Sequence, residues 1–136
     1  MAKTEISTLG EFGLIKHLTK DFPTYQPSTQ KAIGDDAAVL NHKDKRTLVT
    51  TDLLLEGIHF NLEYAPLKHL GYKAAVVNFS DMYAMNATPT QITVSLGISK
   101  RFAVEDLEEL YAGIRLACER YNVDLVGGDT SASMTG

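Results

Sequence analysis

Four acidic spots stand at the ends of apolar segments: Asp35-Asp36, Thr50-Thr51-Asp52, Asn78-Phe79-Ser80-Asp81 and Gly128-Asp129. Their neighbours are small residues, which leave room for an ion and for phosphate groups. Magnesium demands hard oxygen ligands and keeps several of its waters. A few carboxylates and hydroxyls from different elements, completed by phosphate oxygens, are what such a site needs. Asn78 and Asp81 lie three apart on a helical stretch and share a face with Ala74 and Met85. Taken singly, each aspartate is explained as well by a turn or a helix cap, where the carboxylate accepts a nearby backbone N–H. Asp81 resists that explanation. It lies inside a helix, after polar Asn78 in an otherwise apolar stretch, where burial without a partner or metal is costly.

Other chemistries fit less well. There is no Gly-x-x-x-x-Gly-Lys-Ser/Thr loop and no Gly-x-Gly-x-x-Gly fingerprint, so any nucleotide site uses another architecture. Gly127-Gly128-Asp129-Thr130 is by itself a weak motif that reads equally as a tight turn. His59 follows Asp52 on an irregular segment, and His17, His42 and His69 belong to no pattern. The single cysteine, Cys118, forms neither an internal disulfide nor a zinc pattern and reads as a helical core residue. Seventeen acidic against thirteen basic residues give a net charge of −4, which argues against a nucleic-acid surface, since that affinity comes from clustered Lys and Arg. Apolar runs such as Ala74-Ala75-Val76-Val77 are far below the ~20 residues of a membrane span. Met1-Ala2-Lys3-Thr4-Glu5 opens no signal peptide, so a cytoplasmic protein is expected. With 136 residues, 44% hydrophobic and 22% charged, the chain is expected to fold as one domain.

The elements that must position these residues follow from periodicity. Thr8-Leu9-Gly10-Glu11 has the form of a capping box and predicts a short helix through about Thr19. Pro23, Pro27, Ser28 and Thr29 mark a loop. Ala37 to Leu40 and Thr47 to Thr50 then read as a hairpin around the polar turn Asn41 to Lys45. Pro66 suits a helix start, and apolar residues at helical spacing run to Met85. Asn86 offers a left-handed cap and Pro89 forbids continuation. Ile92, Val94, Leu96 and Ile98 alternate with polar or small residues, the period of a strand buried on one face. Leu107, Leu110, Tyr111, Ile114, Cys118 and Tyr121 line one face of a helix from Val104 to Tyr121. Asp124-Leu125-Val126 reads as a short strand ending in a glycine turn, and Ser131 to Gly136 as the start of another turn or strand. This order predicts an α+β domain, a two-layer sandwich of a mixed β-sheet with helices on one face.

Taken together, Ile33-Gly34-Asp35-Asp36-Ala37-Ala38, Thr50-Thr51-Asp52-Leu53-Leu54-Leu55-Glu56-Gly57-Ile58-His59-Phe60, Asn78-Phe79-Ser80-Asp81-Met82-Tyr83-Ala84-Met85 and Gly127-Gly128-Asp129-Thr130 resemble the bacterial thiamine-monophosphate kinases, in order and in spacing. That family belongs to the aminoimidazole ribonucleotide synthetase-like superfamily, and the resemblance covers residues 9 to 136. It implies ATP-dependent phosphorylation of thiamine monophosphate to thiamine diphosphate by direct, magnesium-assisted phosphoryl transfer. It further implies ligation of several magnesium ions by Asp36, Thr50, Thr51, Asp52, Asp81 and Asp129, contact with ATP phosphates by Gly128 and Asp129, and contact with thiamine monophosphate by His59. No role is assigned to Asp35. Relatives pair their N-terminal domains through the sheet into a homodimer and carry a second domain that supplies further groups. Residues 1–136 would then be the ATP- and magnesium-binding, dimerising half, inactive alone. Tyr83 and Asn86 stand where relatives usually carry Ala and Gly, and Ala32 where Gly is common. Rival readings are a superfamily enzyme with another acceptor, such as selenophosphate synthetase, whose reactive N-terminal Cys is missing here, or a non-catalytic nucleotide-binding dimerisation module.

Overall fold

The computed structural model describes residues 8–21 and 23–134. Its elements are α1 (Gly10–Thr19), β1 (Thr29–Lys31), β2 (Ala38–His42), β3 (Lys45–Val49), α2 (Leu67–Ala84), β4 (Gln91–Ile98), α3 (Val104–Tyr121) and β5 (Asp124–Ala132). They divide into two compact units that meet in sequence between Val49 and Thr50. No helix among the described residues is long and apolar enough to cross a membrane.

The first unit holds α1 and an antiparallel sheet in the order β1-β2-β3. The expected hairpin is present, with Ala38 opposite Val49 and His42 opposite Lys45. β1 falls where a loop was expected. It is three polar residues long and pairs with β2 through an irregular register, so neither alternation nor β-branched content announces it. α1 occupies its expected span, but Leu9 rather than Thr8 sits at the N-cap, with no side-chain cap bond. The side chain of Glu11, the other half of the expected capping box, lies outside the described residues.

In the second unit α2 and α3 pack against each other, with one face of β4 on their core, and β4 pairs in parallel with β5. Leu70, Ala75, Phe79, Leu110, Ile114, Ala117, Cys118 and Val123 form the core, with Ile92, Val94 and Leu96 of β4 packed on it. Cys118 is therefore the helical core residue its spacing predicted. The α+β class holds, with antiparallel and parallel pairings in separate hydrogen-bonded sheets. Helix ends follow local chemistry. Asn86 is left-handed at φ 53°, a conformation Asn tolerates, and Ala87 N–H returns to Met82 C=O at 2.9 Å. Asn122 ends α3 in the same way at φ 57°. Asp106 accepts the Ala103 N–H at 2.8 Å and so closes the N-terminus of α3. Tyr83 is half exposed, with its ring 6.3 Å from that of Tyr121, which in turn meets Phe79 edge-on at 5.6 Å.

β5 departs from expectation. The strand runs through the glycines to Ala132 instead of turning at Gly127, and Ser131 continues it. A bulge makes this possible: Ile92 pairs with Leu125 but Thr93 with Gly127, leaving Val126 as the extra residue. At Gly128 a Cβ would lie 1.9 Å from the Val94 carbonyl oxygen, so only glycine lets the two strands approach.

The same device sets the helix pair. A Cβ on Gly71 would lie 1.9 Å from the Leu110 carbonyl oxygen, and one on Gly113 would lie 1.9 Å from that of Lys68. Each helix thus presses a glycine against the backbone of the other. Gly71→Ala or Gly113→Ala should cost about 1–3 kcal/mol or more, the usual range for overpacking. Gly97→Ala, which meets nothing within 4 Å, should stay within about 1 kcal/mol, a surface change with a small propensity term. Urea midpoints of the three variants test this contrast.

Candidate functional site

α2 carries Asn78 and Asp81 on one face, and the segment from Thr50 to Phe60 lies against it. The Thr50 hydroxyl donates to Asp81 Oδ2 at 3.3 Å. Asn78 is held by its own helix, its Nδ2 donating to Ala74 C=O at 3.0 Å, and its Oδ1 accepts the Asp52 N–H at 3.1 Å. Asn78 and Asp81, three apart on one face of α2, both meet the segment that carries Thr50, Thr51 and Asp52. Asp81 is half-buried and Asp52 more exposed. The Asp52 carboxyl is pushed above the ordinary carboxylate range, first by desolvation and then by the negative charge of Asp81, with His59 partly offsetting both. Two carboxylates thus share a neighbourhood, with His59 as the opposing charge.

His59 lies on a loop closed on itself. Leu55 C=O accepts the N–H groups of Ile58 (3.2 Å) and His59 (2.9 Å), and Leu55 N–H donates to His59 Nδ1 at 2.9 Å. With Nδ1 an acceptor, the proton of the neutral ring sits on Nε2. Lys73 Nζ donates to the His59 carbonyl at 2.6 Å. Arg101 pairs with Glu56 of the same loop.

The remaining residues lie elsewhere. Asp129 stands on β5 opposite Ser95, its carboxylate accepting the Ser131 hydroxyl at 3.1 Å. Asp35 and Asp36 belong to the first unit. Asp35 is engaged there, bonded to Lys31 and accepting the Asp36 N–H at 2.9 Å; the Lys31 bond, ahead of that N–H, holds its carboxyl below the ordinary range. That accounts for Asp35 as a local structural group. Among the described residues no three Asp, Glu, His or Cys side chains gather closely enough to hold an ion. Lys73 was not singled out by its sequence; it lies one step round the helix from the Ala74-Asn78-Asp81 face, and nothing in the spacing marks it.

The raised Asp52 value has a consequence for stability. Its carboxyl binds a proton more tightly in the folded state, so the stability it contributes is complete below the ordinary carboxylate pKa and is lost as pH rises through the folded value. In EDTA, Asp52→Asn should unfold at a higher temperature than the parent at pH 7, with the gap closing at acid pH. Thermal melts across pH 3 to 7 check the sign.

Residues 34–136 match the family model described as AIR synthase related protein, N-terminal domain. The thiamine-monophosphate kinase of Aquifex aeolicus is 39% identical over 128 residues, covering 94% of this chain and 40% of the relative. That of Synechococcus elongatus is 37% identical over 136 residues, covering 99% of this chain and again 40% of the relative. A solved structure of AaThiL complexed with AMPPCP and TMP matches with a TM-score of 0.86 at 37% identity, over 98% of this chain and 41% of that one. The chain spans about 40% of the length of the curated relatives it matches. With its α+β architecture and a family match that runs through Asp36, Thr50-Thr51-Asp52, Asp81 and Gly128-Asp129, the chain belongs to the AIR synthase related protein family, as its N-terminal domain.

Proposed function

We propose that this chain is the ATP- and magnesium-binding N-terminal domain of a thiamine-monophosphate kinase, which transfers the terminal phosphoryl group of ATP directly to thiamine monophosphate. The observation that carries this reading is the grip of α2 on the Thr50–Asp52 segment, which sets Asp81, Asp52 and a threonine hydroxyl side by side. The likeness to AaThiL complexed with AMPPCP and TMP supports the pair of substrates, an ATP analogue and a phosphomonoester.

The donor set fits magnesium. Desolvation first, and then the charge of Asp81, raise the Asp52 carboxyl, and Thr50 and Thr51 add neutral oxygens. Magnesium keeps several waters and takes phosphate oxygens as ligands, so a few hard oxygens supplied by the chain suffice. Thr50, Thr51, Asp52 and Asp81 would hold it, with Asp129 as a further ligand implied by the resemblance. When bound, magnesium would screen the repulsion between two anionic phosphates and stabilise charge on the transferring group. Gly128 and Asp129 are assigned to the ATP phosphates and the His59 Nε2–H to thiamine monophosphate. The acceptor needs no enzymatic base, because a phosphomonoester with a second pKa near 6 is already largely dianionic at neutral pH. A homodimer joined through the domain's sheet and a cytoplasmic location complete the reading.

The test is product. The gene product, including any downstream domain, incubated with ATP, magnesium and thiamine monophosphate, should yield thiamine diphosphate by chromatography. Asp81→Asn should slow that yield by about a hundredfold or more, the scale of one lost electrostatic stabiliser. Magnesium-dependent ATP binding without any thiamine diphosphate would sink the acceptor assignment.

A further inference from the structure

The segment ahead of α2 is tied back to that helix at three points: Thr50 to Asp81 (3.3 Å), Asp52 to Asn78 (3.1 Å) and His59 to Lys73 (2.6 Å). It therefore runs antiparallel to the helix, and each tie is made by a side chain of α2. The first two reach the acidic cluster. The third reaches the loop that carries His59.

The loop's internal bonds fix its shape, and two polar contacts reach it from outside, Arg101 on Glu56 and Lys73 on the His59 carbonyl. The bonds of Leu55 with Ile58 and His59, and of Gly57 N–H with Phe60 C=O at 2.8 Å, are all internal to it. Leu54 and Phe60 pack on the core at its two ends. Between them Leu55 and Ile58 are 44% and 74% exposed, so little burial holds the turn down. The Lys73 ammonium on the His59 carbonyl is the polar tie from α2 to this turn, and a bond from a charged donor is roughly twice as strong as a neutral one. It acts on the backbone of the same residue whose ring closes the loop through Nδ1.

We propose that Lys73 is a positioning residue, whose bond to the His59 carbonyl fixes the imidazole against α2 and so presents Nε2–H to an anionic second substrate. The substrate half of this inference rests on the phosphoryl-transfer reading; the tether does not.

Lys73→Met keeps the apolar stem and removes the charge and donors, whereas Lys73→Arg keeps a donor. On the 136-residue chain, nitrogen-15 spectra of labelled histidine at constant pH report the His59 tautomer, and amide exchange reports the Leu55 N–H bond. In Lys73→Met the His59 signals should move towards an averaged tautomer mixture and the Leu55 amide should exchange about tenfold faster, the scale of one lost hydrogen bond. The unfolding midpoint should not change, and Lys73→Arg should restore the parent signals. In the active kinase, Lys73→Met should raise KM for thiamine monophosphate and leave KM for ATP unchanged. Unchanged His59 and Leu55 signals in Lys73→Met would overturn the tether, as would a fall in midpoint that Lys73→Arg fails to rescue. A loosened loop with unchanged KM would overturn the presentation of Nε2–H to substrate, while the product assay would still decide the kinase reading separately.

Discussion

Backbone contact between α2 and α3 is the constraint on which the second unit depends. Gly71 and Gly113 each face a carbonyl of the opposite helix at a distance no side chain could occupy. Leu70, Ala75 and Phe79 of α2 then meet Leu110, Ile114, Ala117 and Cys118 of α3 in one apolar cluster. That packing decides which face of α2 is turned inward. With the apolar row committed to α3, the row carrying Ala74, Asn78 and Asp81 is left to meet the Thr50–Phe60 segment. Site geometry is thus a by-product of helix packing, and a methyl group on Gly113 would disturb it without touching any polar residue.

The electrostatics run against stability. An isolated domain gains nothing from partly burying Asp52 beside Asp81; desolvation first and the Asp81 charge second push its carboxyl above the ordinary range. Groups held at an energetic disadvantage and anchored by a helix are a common property of binding sites. The anchoring is neutral and directional: an amide from Asn78 and a hydroxyl from Thr50 orient the segment without cancelling either charge. Such an arrangement leaves the compensating charge to a ligand, which is why a hard cation with phosphate oxygens fits it. Asp35 shows the contrast, since its carboxylate is already satisfied by Lys31 and a backbone N–H.

Much of this was legible in the sequence because period and punctuation are local. The alternation of Ile92 to Ile98, the apolar stripe of α3 and the Asn86 cap each depend on neighbours a few residues away. The polar pair Asn78 and Asp81 was legible for the same reason, as an interruption of an apolar helix. What was not legible depends on partners far along the chain. β1 exists only because β2 pairs with it. β5 continues through Gly127-Gly128 only because the Val94 carbonyl needs that space, which turns an apparent turn signal into a packing requirement. Lys73 gains its place from a carbonyl fourteen residues earlier, and no spacing rule selects it.

The central claim is that the α2 face and the Thr50–Asp52 segment form one metal-dependent phosphate site. The most direct measurement is the magnesium-dependent shift in unfolding temperature produced by AMPPCP on the parent chain, Asp81→Asn and Asp52→Asn. A ligand at a hundred times its Kd adds about 2.7 kcal/mol to a folded state it alone recognises, so a shift is readily measured. The account predicts a clear upward shift for the parent only when magnesium and AMPPCP are both present, and its loss in both variants. An equal shift in all three proteins would contradict it and place nucleotide binding away from these aspartates.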